Sequence, residues 1–96
     1  MKVKPGEEER ALEILQGVMA ASHTEEGCVK YTLHRAVNEQ GTFSIVEKWR
    51  SQADLDAHFQ EPHLEPVAGA LELLAEPPHI LFCEPVPVGD PDKGSL

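Results

Sequence analysis

An α+β fold of the ferredoxin-like kind, β-α-β-β-α-β on an antiparallel sheet, is predicted by three features of this 96-residue chain. Residues 28–37 and 42–50 each alternate apolar and polar side chains, and Asn38-Glu39-Gln40-Gly41 between them is turn chemistry, so the two form an antiparallel hairpin. Ahead of the hairpin, Leu12, Leu15, Val18 and Met19 recur at helical spacing. Behind it, helical patterns lead into a last apolar run through Ile80 and Phe82.

Taken in order, Val3 belongs to a short extended segment that stops at Pro5-Gly6. A helix over 7–22 follows, with Glu7, Glu8 and Glu9 where a helix N-terminus favours negative charge. Strand 28–37 places Val29, Tyr31 and Leu33 on one face, leaving Cys28 for the other. Strand 42–50 places Phe43, Ile45, Glu47 and Trp49 together. Ser51-Gln52-Ala53-Asp54 opens a helix to about residue 60 in the manner of a capping box, and Leu55, His58 and Phe59 share its inner face. A further helix over 63–74 accepts Pro66 in its first turn and is buried through Leu64, Val67, Leu71 and Leu74. Pro77-Pro78 ends it, and a last strand covers 79–84. The domain therefore occupies 1–85, and 86–96 is an irregular Pro- and Gly-rich tail. Both faces of the hairpin carry apolar residues, so one face is left for a second subunit and a symmetric dimer packed sheet to sheet is expected.

Composition narrows the function. The net charge is −9, with only 8 Lys and Arg, scattered, so nucleic acid and anionic membrane surfaces are poor partners. The chain carries no run long enough to span a bilayer, and its first residues lack the apolar centre of a secretory signal, so a cytoplasmic location is expected. Cys28 and Cys83 read as small buried apolar residues rather than a disulfide. The 5 histidines show no His-x-His or His-x3-His spacing, His58 and His63 being five apart across a proline, so no metal site is expected. Phosphate loops, dinucleotide fingerprints and nucleophile elbows are missing too, so no cofactor is expected.

The chemistry concentrates between Glu26 and His63. His58, between Leu55 and Phe59, suits proton transfer at neutral pH, and it equally suits a core histidine with a carboxylate partner. Glu47 is a candidate general base, a group that orients His58, or a buried or inter-subunit hydrogen-bond partner. Tyr31 and Trp49 offer flat apolar surface with one polar handle each, for a ligand or for the core. His34 stands at the pocket mouth or on a solvated strand end, and His63 is placed to close one side of the cleft.

The stretch Glu26-Gly27-Cys28, Tyr31, Leu33-His34, Glu47-x-Trp49, with a histidine nine residues on at His58, resembles the antibiotic-biosynthesis monooxygenase family of small dimeric α+β barrels. The resemblance runs from Val3 to Val86. It departs at the start, where only Met1 to Lys4 precede Pro5-Gly6 and the family has a longer first strand. It implies a homodimer whose tail reaches the partner, and cofactor-free oxygenation of small electron-rich aromatics such as quinols and anthrones. His58 would be the base with Glu47, Tyr31 the donor to the developing oxyanion, and Trp49, Phe59 and Leu64 the pocket wall, with His34 and His63 at its edges. Haem degradation, known in one branch, is not expected: aligned from Trp49, that branch has a tryptophan at the place of His58 and its haem ligand at the place of Ala68. Isomerisation of a small phosphorylated carbonyl compound, or ligand binding without catalysis, are the other functions the resemblance allows.

Overall fold

The hairpin sets the frame. In the computed structural model, which describes residues 1–96, β1 (Cys28–Arg35) and β2 (Phe43–Trp49) pair antiparallel, with Tyr31 opposite Glu47, Leu33 opposite Ile45 and Arg35 opposite Phe43. Opposed residues share a sheet face, so Tyr31, Leu33, Phe43, Ile45, Glu47 and Trp49 stand together, as their alternation requires. The register slips once, between Cys28 and Lys30, so that Cys28 lies opposite Trp49. Val29 is the extra residue of this bulge and is half exposed. Alternation alone puts Val29 on the face of Tyr31; the inserted residue breaks that alternation, and Cys28 takes the place opposite Trp49. At the turn, Gly41 has φ +76, and a Cβ there would come within 3.3 Å of the Val3 carbonyl, so glycine is required on both counts.

The first strand is present but short. Lys2 bridges Thr42 and Val3 bridges Leu74, both antiparallel. The Met1 amino group donates to the Phe43 carbonyl at 2.7 Å, the Val3 N–H to Gly41 and the Ala75 N–H to Lys2. The order across the sheet is thus β1, β2, the Met1–Val3 segment and the segment around Leu74, which is the ferredoxin-like arrangement. Its fourth position differs from expectation. Residues around Leu74 fill it rather than 79–84, because the predicted helix over 63–74 does not run through. A 3₁₀ turn, Pro62–Leu64, is followed by a separate α3, Val67–Leu71. Pro66 has no N–H to give to the Pro62 carbonyl, so the helix restarts after it. Leu74 is then free to reach Val3, while Ile80, Leu81 and Phe82 lie outside any helix or strand and are largely exposed.

α1 (Glu8–Ser22) lies on the inner face and buries Ala11, Leu15, Val18, Met19 and Ser22, the predicted stripe. Val3, Ala11, Phe43 and Leu74 form the core at one end, with Leu12, Leu33 and Leu73 packed around it. α2 (Gln52–His58) begins as predicted: the Ser51 hydroxyl accepts from the Asp54 N–H at 3.2 Å. Arg50 clamps the same aspartate with two hydrogen bonds, 2.9 and 3.1 Å. Gly27 passes so close beneath that a Cβ would overlap the Asp54 side chain. That close pass fixes where the α1–β1 turn meets α2, and with it the site. No helix is long and apolar enough to cross a membrane.

Candidate active site

Three elements bring the site together at the end of the sheet away from Phe43. The turn after α1 is held at both ends, the Glu25 N–H donating to Ser22 and the Cys28 N–H to Glu25. This points the Glu25 carboxylate inward, where its side chain keeps only 11% of its exposure. α2 ends at His58, whose ring is almost fully buried at 2%. The 3₁₀ turn carries His63. A single oxygen, Glu25 Oε2, lies 2.7 Å from His58 Nδ1 and 2.9 Å from His63 Nε2. Ser22 donates its hydroxyl proton to the Val18 carbonyl, so its oxygen can only accept from His63, at 3.4 Å. Both imidazoles therefore donate to one carboxylate, which satisfies the buried charge.

The other nitrogen of His58 is differently placed. Nε2 faces Glu47 Oε1 at 3.9 Å, too far for a hydrogen bond. That carboxylate oxygen accepts from the Trp49 indole N–H at 3.1 Å, and about a third of the Glu47 side chain meets solvent. Trp49 lies over the His58 ring at 4.4 Å between centroids, and Tyr31 meets the ring edge-on at 5.7 Å. A neutral ring donating from Nδ1 to Glu25 carries its lone pair on Nε2, beneath these two aromatics.

Burial, then the charge of Glu47, push the Tyr31 phenol up to about 12. Tyr31 is therefore a neutral hydroxyl, able to donate, across the physiological range. The same two causes have a stability consequence. The unfolded phenol ionises near 10 and the folded one near 12, so the folded state binds the proton more tightly. Its contribution is fully present below pH 10 and is lost as pH rises towards 12. In alkaline melts, the wild type should lose more stability over that window than Tyr31→Phe; parallel curves would show that Tyr31 is not so enclosed. Burial, Glu25 and Glu47 also push the Cys28 thiol up, which makes it a weak nucleophile.

Of the residues singled out in the sequence, His58, Glu47, Trp49, Tyr31 and His63 are gathered here. Phe59 touches the His58 ring at 5.6 Å but is half exposed, and it carries Phe82 against its outer side. Leu64 is half-buried in the 3₁₀ turn beside His63. His34 is not brought in: it lies opposite Ser44 on the other face and is exposed. A cleft of about 600 Å³ runs between α1 and the 62–66 segment, and His63 is where it meets the site.

Residues 1–68 match the family described as antibiotic biosynthesis monooxygenase. The chain belongs to this family. It is 35% identical over 85 residues to the Bacillus subtilis protein named "Putative monooxygenase YcnE", covering 88% of this chain and 90% of that one. It is 37% identical over 81 residues to an uncharacterized protein of Synechocystis, sll1783, and there it covers 83% of this chain but spans only 55% of the relative. Among solved structures, Rv0793 from Mycobacterium tuberculosis superposes with a TM-score of 0.83 at 26% identity, over 93% of this chain and 91% of that one. A structure described as an antibiotic biosynthesis monooxygenase superposes at 0.84, with 22% identity over 90% and 92% of the two chains, a likeness of fold.

In this member of the antibiotic biosynthesis monooxygenase family, Glu25 is the residue the sequence hid. It sits in an acidic pair with Glu26 that reads as solubilising surface. Only Gly27, two residues on, signals that the chain there passes close beneath another element.

Proposed function

We propose that this protein is a cofactor-free monooxygenase of a small electron-rich aromatic, of the quinol or anthrone type, with O2 as co-substrate. The family membership supports monooxygenation in general; the reading for this substrate class rests on one observation. His58 is anchored at Nδ1 by Glu25 while Nε2 stays uncommitted beneath Trp49 and Tyr31. An anchored imidazole of this kind is a proton acceptor with fixed tautomer and direction. Nε2 takes the acidic proton of the substrate, Tyr31 donates to the oxyanion that develops, and Trp49 stacks on the ring system. The substrate supplies all the electrons to O2: the carbanion pair forms the C–O bond of a peroxide, and the remaining C–H bond supplies the second pair as the O–O bond breaks. For an anthrone, the CH2 becomes C=O, one oxygen atom stays in the product and the other leaves as water.

The charged neighbours of the two imidazoles, Glu25 and Glu47 at His58 and Glu25 and Glu61 at His63, are all acidic, which disfavours phosphorylated substrates and places an isomerase reading second. The test is oxygen uptake by metal-free protein with a panel of reduced quinols and anthrones. Uptake above the autoxidation rate, with one oxygen atom from 18O2 in the product, is expected. A panel that is bound but never turned over would replace the enzyme by a binding protein.

The working form, on this reading, is a homodimer. Ile80, Leu81, Phe82, Val86 and Val88 form an extended apolar segment about 70% exposed, continuous with the site through Phe82 on Phe59. So much apolar surface is costly in water and is matched by covering it with a second copy. Sedimentation should give a dimer that Phe82→Glu weakens towards monomer; a wild type that is monomeric at micromolar concentration refutes this.

A further inference from the structure

We infer that Glu25, His58 and His63 form a binding site for one borderline divalent transition ion, with Zn2+ as the representative ion. Two neutral imidazoles and one carboxylate are the donor set of three-ligand zinc sites, which leave a further position open. The three donor atoms here converge, all lying within 4.8 Å of one another. Glu25 Oε2 is already 2.7 and 2.9 Å from the two nitrogens. A tetrahedral ion with bonds of about 2.0–2.1 Å holds its donors about 3.3 Å apart. Glu25 Oε2 therefore needs to draw back by roughly half an ångström from each nitrogen, which its side chain and the partly exposed His63 can supply.

The outer shell is the more telling observation. Metal-bound histidines are commonly backed by a carboxylate on the ring nitrogen that does not bind. His58 would bind through Nδ1, and its Nε2 faces Glu47 Oε1 at 3.9 Å. His63 would bind through Nε2, and its Nδ1 faces Glu61 Oε2 at 3.9 Å. Each histidine thus has a carboxylate of its own within 3.9 Å of the nitrogen that does not bind, close to though outside hydrogen-bond range. A route also exists. His63 lies in the wall of the 600 Å³ cleft, whose charged lining is Glu13 and Glu65 with no lysine or arginine. A cleft of one sign concentrates ions of the other. The net charge of −9 acts in the same direction.

The ion and the base share atoms. With the ion on Nδ1, the neutral His58 ring carries its proton on Nε2 and has no lone pair left for a substrate. Zn2+ would then suppress the oxygenation proposed above. This consequence rests on that reading; the binding does not.

The test uses the full chain stripped with chelator and titrated with ZnSO4 by calorimetry at pH 7.5, with Co2+ absorption as a second readout. One ion per chain is expected, with a Co2+ visible spectrum of four- or five-coordinate type and proton release on binding. Glu25→Gln and His63→Ala should each weaken binding by more than about 100-fold, beyond what loss of an outer-shell partner causes. His79→Gln, on an exposed residue outside the cluster, should leave it unchanged. Circular dichroism confirms that each variant is folded. No stoichiometric binding by folded wild type, or affinities that ignore His63→Ala, overturns the site. Equal loss in His79→Gln shows surface chelation only and overturns it too. Oxygen uptake plays no part in these outcomes, so failure of the metal site and failure of the oxygenase reading are separate results.

Discussion

Replacing His58 by alanine should lower oxygen uptake by roughly 10²–10⁴-fold, the contribution of a positioned general base. The ring joins the buried Glu25 to Tyr31 and Trp49, and the carboxylate nearest to Nε2, Glu47 at 3.9 Å, is already held by the Trp49 indole N–H. The same substitution leaves a cavity and a buried carboxylate short of one donor, so some stability is lost with the activity. Glu25→Gln separates the two effects. It keeps the volume and removes the charge, so Nδ1 is no longer obliged to hold the proton. A folded Glu25→Gln with kcat reduced and KM nearly unchanged is the expected result, since the substrate meets Nε2 and not Glu25. If both variants keep the wild-type uptake while His58→Ala melts earlier, the histidine is a packing residue and the proton goes elsewhere.

The fold and this site were legible in the sequence to different depths. Alternation grouped Glu47 with Trp49 on one strand and Tyr31 with Leu33 on the other, and only the register of β1 and β2, Tyr31 opposite Glu47, puts the two groups on one face. It failed at Val29, since a bulge adds a residue without changing composition. Helical spacing aimed His58 inward correctly, because Leu55 and Phe59 bracket it on one helix. Glu25 could not be seen in this way. Its direction is set by a turn whose two ends are tied by backbone hydrogen bonds, and turns have no period. The proline at 66 was readable as a residue tolerated in a first turn, and it also breaks what precedes it. That break is why the sheet closes at Leu74 and why the apolar run after it is left without a partner inside one chain.

Phe43→Ala should be the most destabilising single change at a distance from the site, by about 3–5 kcal/mol. Phe43 is 1% exposed and is the largest member of the cluster that joins three of the four sheet positions to α1, with Leu33 of β1 packed against it. The Met1–Val3 segment contributes little pairing of its own, two bridges and a few hydrogen bonds, so its attachment depends on the side chains of Val3 and Phe43 packing with Leu74. A domain of this size has roughly 5–15 kcal/mol in total, so the loss takes a large part of it. The melting temperature should fall by more than about 10 °C. Phe43→Leu, which keeps most of the volume, should cost no more than about 1.5 kcal/mol. At a temperature where Phe43→Ala is still folded, its kcat should match the wild type, because Glu25, His58 and Trp49 stand at the opposite end of the hairpin. A Phe43→Ala protein that is stable but inactive would mean that the two ends of the sheet are coupled, and that the site depends on the core as a whole rather than on the turn, α2 and the end of β2 that build it.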